Sequence, residues 1–235
     1  MMRTALALAL LASAGCFAHD QVRASGKAQH ETREVGAFNG VSVASGIRVL
    51  IEAGPRAPIE LEGDDNLLPL IETSVEEHTL HVRYRRGTNI WGGGEATVRV
   101  RAPEIRSLEA SGGAEIRGRV ANTAELELEA SGGGEIHVRD LDVDRLIAGS
   151  SGGAHLELSG RARRLEIEMS GGAKVIAGKL VTRTVKIDGS GGAHAEVTAS
   201  EIIRGSLSGG SDVRLHGNAS SRVSTSGGAE VAYDD

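Results

Sequence analysis

Apolar and polar residues alternate over much of the chain, a pattern that predicts half-buried β-strands. In a strand, successive side chains point to opposite faces, so alternation puts the apolar set on one side. Residues 38–52 show it first, and residues 59–62, 79–84 and 96–101 repeat it. The apolar residues of the first run all share one parity: Val41, Val43, Ile47, Val49 and Ile51. Residues 67–71 suit one helical turn or irregular packing, since Pro69 opposes a longer helix.

The motif Ser-Gly-Gly recurs seven times at intervals of 18–20 residues. Its serines are Ser111, Ser131, Ser151, Ser170, Ser190, Ser208 and Ser226. A short alternating strand precedes each copy and another follows it, as in residues 165–169 and 174–177 around Ser170. A fixed period of this length is typical of one structural unit stacked on the next. The sequence therefore predicts an all-β fold, a parallel β-helix or β-solenoid with coils of about 20 residues.

Glycine suits the corner of each coil because it reaches positive φ without steric cost and lets adjacent backbones approach closely. Stacked coils would align their inward residues in columns. One predicted column contains Leu108, Leu126, Leu165, Val185, Ile203 and Val223, and another contains Ile116, Ile136, Leu156, Val175 and Val213. The alternative is a β-sandwich or barrel of antiparallel hairpins. The solenoid is favoured because the same corner recurs with the same parity, whereas hairpin turns usually vary.

The N-terminus predicts export. Residues 1–18 combine Arg3, a short apolar run and small residues, as a secretory signal does. The run is shorter than the roughly 20 apolar residues that span a bilayer, so we expect no integral membrane segment. Residues 19–35 are polar and without periodicity, which predicts a flexible linker. Residues 36–235 form the predicted solenoid domain.

Cys16 is the single cysteine. The run from Leu11 to Cys16 resembles the processing box of bacterial lipoproteins, with Ser13 where that box favours leucine. The resemblance implies that Cys16 becomes the lipidated first residue of the mature chain. The alternative is ordinary signal cleavage, for example after Ala18, which would discard Cys16. With no second cysteine, an internal disulfide and a cysteine-based zinc or iron–sulfur site are excluded.

Charge and composition limit the classes of partner and the kind of core that we expect. The formal net charge is −6 with both signs interspersed, which makes nucleic acid a poor partner. The densest cationic spot, Arg83–Arg86, suits the solvated end of a strand. Aromatic residues make up 2% of the chain, so the core must be thin and aliphatic. Trp91 is the one candidate for an exposed aromatic platform, and the alternative is a cap over the end of the solenoid.

Stacking should also align polar residues on the outside. The residue three after the first glycine of each corner belongs to a predicted ligand face: Glu115, Glu135, His155, Lys174, His194, Asp212 and Glu230. A second column lies two residues before the serine: Glu109, Glu129, Glu168 and Asp188. Such a face could bind a cation, a glycan or a protein, or could simply be a solvated strand surface. We expect no metal site, since Lys174 interrupts the column and His155 and His194 are two repeats apart, about 10 Å.

The sequence contains no recognisable catalytic motif. It lacks the Gly-x-Ser-x-Gly elbow, the His-Glu-x-x-His motif and a phosphate-binding glycine loop. A glycosidase needs two carboxylates in a cleft, and chance pairs exist among 32 acidic residues. We therefore expect no catalytic residues and no cofactor.

Three segments together resemble a known family. They are residues 38–43 (Phe-Asn-Gly-Val-Ser-Val), residues 62–68 (Glu-Gly-Asp-Asp-Asn-Leu-Leu) and the Ser-Gly-Gly-Ala repeats. Their order is similar to the "putative auto-transporter adhesin, head GIN" domain, over roughly residues 36–233. The resemblance implies a parallel β-helix-like fold in a bacterial envelope or secreted protein and carries no established catalytic residues.

The leading hypothesis is a non-enzymatic, adhesin-like protein of the cell envelope. We expect it in the periplasm, at the outer membrane or on the cell surface, with a glycan or protein ligand. Membrane contact would come only through a lipid anchor at Cys16. The alternatives are a carbohydrate-active enzyme, a polysaccharide lyase or hydrolase on the same scaffold, and a purely structural envelope protein.

Overall fold

The computed structural model describes residues 20–121 and 123–234, and these residues form an almost purely β protein. Strands account for 67% of the structure. Within residues 20–121 and 123–234 there is a single 3-10 turn, Leu68–Leu70, which contains Pro69, as the sequence predicts for this segment. Among the described residues, no helix is long and apolar enough to cross a membrane. The predicted signal and Cys16 lie outside the described residues.

In the part of the chain from residue 20 to residue 102, the structure describes nine strands. They are β1 Asp20–Arg23, β2 Ala28–Arg33, β3 Gly40–Ala44, β4 Arg48–Ala53, β5 Ile59–Asp64, β6 Ile71–Glu76, β7 Thr79–Tyr84, β8 Thr88–Trp91 and β9 Thr97–Ala102. Strands β1 and β8 form a two-stranded sheet, and the other strands belong to one sheet of 17 strands.

Ten strands are described in the repeat region, between residues 107 and 234. They are β10 Ser107–Ser111, β11 Glu115–Gly118, β12 Thr123–Ser131, β13 Glu135–Ser150, β14 His155–Met169, β15 Lys174–Gly189, β16 His194–Leu207, β17 Asp212–His216, β18 Ser220–Thr225 and β19 Glu230–Asp234. Every pairing among them is parallel. The chain is therefore a β-solenoid of about six turns with coils of about 20 residues, as predicted.

Each complete coil has three short sides. In β14 buried residues alternate with outward ones except at two places, Ser159–Arg161 and Arg163–Arg164, where three and two successive residues are not buried. These breaks mark two corners, and the Ser-Gly-Gly motif supplies the third. Inside, the coil is filled by aliphatic side chains such as Leu156 and Ile167, which are almost fully buried. A coil this narrow leaves no room for a layer of large rings, which agrees with the low aromatic content.

The glycine corners are themselves hydrogen-bonded from coil to coil. The first glycine of the corner has positive φ, for example 71° at Gly171 and 78° at Gly191. The N–H of the second glycine donates to the carbonyl of the first glycine one coil earlier, as from Gly192 to Gly171 at 2.8 Å. A Cβ at Gly191 would lie 2.9 Å from that carbonyl oxygen. Glycine is thus required by both the dihedral angle and the close stacking.

Of the two predicted core columns, one is correct and the other contains two residues that belong to a neighbouring column. Leu126, Leu165, Val185 and Ile203 do share a column, which also includes Leu146. Leu108 and Val223 belong instead to the neighbouring column, where Leu108 pairs with Leu128 and Val223 with Gly205. The second predicted column is correct, since Ile116, Ile136, Leu156, Val175 and Val213 follow one another through Ala195.

The N-terminal end differs from the linker prediction. Residues 20–23 pair in parallel with β8, and β2 pairs antiparallel with β5 along six residues. Further antiparallel pairs join β5 to β9 and β6 to β7. The guanidinium of Arg33 donates to the carbonyls of Leu68 and Ile71 at 3.0 and 2.7 Å. These contacts tie residues 20–33 to the folded domain at the end of the stack.

Candidate functional site

One side of the solenoid bears a ladder of mostly ionisable residues. It lies on the short strand that follows each glycine corner, where two outward positions per coil form two parallel columns. The first column contains the predicted residues in register: Glu115, Glu135, His155, Lys174, His194, Asp212 and Glu230. The second column, two residues further along, contains Arg117, His137, Glu157, Ile176, Glu196, Arg214 and Ala232. We call these two columns the charged face.

The charged face continues into the N-terminal part through Arg48, which pairs in register with Glu115. Arg48 Nε lies 2.6 Å from a Glu115 carboxylate oxygen, and its Nη1 lies 3.1 Å from Glu95. Arg117 donates to the other oxygen of Glu115. Burial favours the neutral form of Glu115, but hydrogen bonds from Arg48 and Arg117 outweigh it and lower the pKa of this carboxyl. Glu115 is therefore an ionised carboxylate that two arginines contact at one end of the face.

His137 lies at the centre of a histidine–carboxylate cluster. Its Nε2 is 3.2 Å from Glu135 and 4.0 Å from Glu115, and its Nδ1 is 3.1 Å from Glu157. The hydrogen bond from His137 lowers the pKa of Glu157. The side chain of His137 is only 18% exposed. Carboxylates from three coils thus converge on one imidazole.

His155 stacks beside this cluster. Its ring centroid is 5.7 Å from that of His137, with the planes tilted by 38°. Burial lowers the pKa of His155, and the charges of His137 and Lys174 lower it further. His155 is therefore held in its neutral form more strongly than a free histidine.

The second histidine of the predicted column has a different arrangement. His194 Nδ1 lies 2.5 Å from Asp212, and its Nε2 lies 3.5 Å from Glu196. Arg214 is 3.7 Å from both Glu196 and Asp234. Register places Lys174 between His155 and His194, so the two predicted histidines are two coils apart and do not meet.

A small cavity opens along the edge of the charged face. It has a volume of about 260 Å³, and its polar lining comes from four successive coils: Arg117, His137, Arg139, Glu157, Ser159 and Lys179, with Leu158 and Ile176 as apolar lining. Cationic side chains outnumber the single carboxylate there. This cavity gives the charged face a concave polar recess that a flat strand surface would lack.

The second predicted acidic column forms a separate groove on another side of the coil. Glu109 and Glu129 are in register, and Gly149 separates Glu129 from Glu168 and Asp188. The groove of about 520 Å³ includes Glu129, Glu168 and Asp188 with the serines of the corners. A hydrogen bond from Ser206 lowers the pKa of Asp188, and Lys186 contributes to the shift. The two predicted polar columns therefore lie on different sides.

Trp91 belongs to neither surface. It lies in the two-stranded sheet of β1 and β8, is 52% exposed, and carries the guanidinium of Arg23 5.1 Å from its ring centroid. Within the described residues, no hydrogen bond joins a corner serine to a histidine or a carboxylate. The Ser-Gly-Gly serines therefore lack the adjacent base that would activate a nucleophile.

A family model described as "Putative auto-transporter adhesin, head GIN domain" matches residues 37–219. The chain belongs to this family. The head GIN match covers both the N-terminal part from β3 onward and most of the repeat region, including His137 and all but Glu230 of the predicted ligand column. The family description points to a surface or exported protein and lends no support to an enzyme.

Solved structures share the head GIN fold. A putative adhesin from Bacteroides fragilis has a TM-score of 0.84 at 18% identity, covering 91% of this chain and 100% of that chain. A putative lipid binding protein from Parabacteroides distasonis gives 0.75 at 14% identity, with 92% and 100% covered. A putative adhesin from Parabacteroides merdae gives 0.70 at 18% identity, with the same coverage. No curated protein has a significant sequence match to this chain.

Proposed function

We propose that this protein is a non-enzymatic, adhesin-like component of the bacterial cell envelope that binds a polar ligand, a glycan or a protein, through its charged face. The observation that carries the proposal is the ladder itself. Register aligns charged or polar groups from seven successive coils on one side, and a polar recess opens at its edge. The description of the family as an adhesin head supports the same assignment.

The physical basis is repetition. Parallel strands lie about 4.8 Å apart, so equivalent side chains present a regularly spaced row of donors and acceptors. A row of this kind can contact an extended polymer at several points, and multipoint contact raises avidity without a deep pocket. Because the face carries side chains of both signs, it suits a ligand that offers both hydrogen-bond donors and acceptors.

A glycan array, run together with a hydrolysis screen on the same polysaccharides, tests the proposal. We expect binding by the wild-type chain without turnover. Lys174→Glu, in the middle of the first column, should abolish binding. Arg204→Glu is the matched control, because Arg204 is an exposed cation on a strand of another side. Turnover of any polysaccharide would reject the non-enzymatic assignment, and equal loss in both variants would reject the assignment to this face.

The position in the cell is part of the proposal. The N-terminal segment directs export, and cleavage before Cys16 leaves this residue as the lipidated N-terminus that tethers the domain to an envelope membrane. The support is the sequence pattern around Cys16 and the surface or exported character implied by the family. Labelling cells with a fatty-acid analogue should mark the wild-type protein and leave Cys16→Ser unlabelled. A labelled Cys16→Ser protein would place the attachment elsewhere.

A further inference from the structure

The cluster around His137 contains donors that suit a metal ion. One donor atom each from Glu115, Glu135 and His137 lies within 4.8 Å of the other two. Ligands bound to one ion at about 2.0–2.1 Å lie roughly 3–3.4 Å from one another. The 3.2 Å between His137 Nε2 and Glu135 already falls in this range, and the 4.0 Å to Glu115 needs only a small side-chain adjustment.

From this geometry, we propose that Glu115, Glu135 and His137 form a binding site for a divalent first-row transition metal such as Zn²⁺. The donor set, one imidazole nitrogen and two carboxylate oxygens, is suited to such ions. Three protein ligands leave a coordination position open to water or to a group on a ligand. This inference does not depend on the proposed adhesin-like function, since the site would bind the ion whether or not the face binds a polymer.

The surroundings of the three donors support a metal site. A metal-binding histidine usually donates its other ring N–H to a carboxylate, which fixes the ring and the tautomer. His137 has this partner in Glu157, at 3.1 Å from Nδ1. Glu115 is oriented in the same way, because Arg48 binds its Oε2 and leaves Oε1 directed toward His137. Two of the three donors are thus held in position by neighbouring side chains.

His194, which also lies on the charged face, lacks this arrangement. At His194 the two carboxylates lie on opposite ring nitrogens, Asp212 on Nδ1 and Glu196 on Nε2. One ion cannot reach both carboxylates through a single nitrogen there. At His137, by contrast, Glu115 and Glu135 both approach Nε2.

Arg117 competes with the ion. Its guanidinium donates to Glu115 Oε1, the oxygen that would bind the metal. Occupation of the site therefore requires this ion pair to open, which weakens binding. Replacing Arg117 with glutamine should remove the competing charge and tighten zinc binding several-fold, an outcome that a purely structural role of the cluster would not produce.

Isothermal titration of the full chain with ZnCl₂, after treatment with a chelator, tests the proposal. We expect the wild type to bind one more zinc ion than His137→Gln, and Glu135→Gln to bind at least tenfold more weakly than the wild type. His194→Gln is the matched control and should bind like the wild type. Circular dichroism verifies that each variant is folded, and Glu135→Gln keeps the test decisive if His137→Gln unfolds. Absence of zinc binding by the wild type would overturn the site. It would also be overturned if both His137→Gln and Glu135→Gln bound zinc with the stoichiometry and affinity of the wild type.

Discussion

The stacked glycine corners permit a sharp test with two neighbouring substitutions. Gly191 and Gly192 belong to the same corner, yet they have different constraints. Gly191 has a φ of 78°, and a Cβ there would approach the carbonyl oxygen of Gly171 to 2.9 Å. Gly192 lies outside the positive-φ region, and its Cβ would remain 3.9 Å from the same oxygen. We predict that Gly191→Ala destabilises the domain and that Gly192→Ala does not.

The magnitude follows from three contributions. Holding an alanine in the left-handed region costs about 1–2 kcal/mol. Displacing the Gly171 carbonyl weakens the hydrogen bond it accepts from Gly192, which contributes about 0.5–1.5 kcal/mol. Loss of chain entropy in the unfolded state offsets about 0.4–1 kcal/mol of this cost. Gly191→Ala should thus lower the free energy of unfolding by about 0.5–3 kcal/mol, while Gly192→Ala retains only the favourable entropic contribution of up to about 1 kcal/mol.

Urea unfolding followed by circular dichroism measures the difference. With equal slopes, the two variants should differ in the free energy of unfolding by about 1.5–3.5 kcal/mol, with Gly191→Ala the less stable. Similar stability of both variants would refute the reasoning, because it would show that the corner neither requires positive φ nor packs closely on the preceding coil. Greater damage from Gly192→Ala would refute the assignment of roles within the corner.

Three further measurements test other parts of the structure. Ile167 is 1% exposed, so Ile167→Asp buries an unpaired charge and should lower the free energy of unfolding in urea by about 3–5 kcal/mol. Glu168 faces outward, so Glu168→Lys should change that free energy by less than about 0.5 kcal/mol. Equal losses in the two variants would contradict the assignment of Ile167 to the inside and Glu168 to the outside. Burial, with the charge of Asp64, raises the pKa of Tyr84 to about 12. In a Tyr233→Phe chain, where Tyr84 is the remaining tyrosine, the tyrosinate absorbance should therefore rise near pH 12, and stability should fall as the pH rises from about 10 through that value. An absorbance midpoint near pH 10 would contradict the burial of Tyr84. Burial lowers the pKa of His155, so as the pH drops this histidine is protonated in the unfolded chain before it is protonated in the folded one, and stability should fall below about pH 6.5. His155→Gln should flatten this part of the pH–stability profile. An unchanged profile would assign the loss of stability to other groups.

The central residue of the candidate site was missed by sequence reasoning that followed a single column. His137 lies two residues after Glu135, so it faces the same side of the strand. The repeat period also aligns it with Glu157 one coil later. Both signals were available in the sequence. The error in the core columns has a similar origin, since Leu108 lies three residues before its corner serine and Leu126 lies five before the next one.

The interactions that make the cluster depend on the structure. Repeat alignment puts residues in register, but it does not tell which oxygen of Glu115 faces Arg48 and which faces His137. It also does not distinguish His137, with two carboxylates at one nitrogen, from His194, with one at each. Side-chain rotamers are selected by neighbours from other coils, so this information is absent from any single repeat.

By itself, the sequence determined the period of the repeat, the positions of the glycine corners and the side of each strand that is buried. These properties come from local rules, namely the period of two in a strand and the freedom of glycine at positive φ, and they recur in every copy. Only the tertiary structure decided how the N-terminal end is completed. Residues 28–33 are mostly polar and exposed, so their pairing with β5 leaves no alternation in the sequence. Partners separated by 26 residues or more along the chain are selected by long-range backbone pairing, which has no local signature.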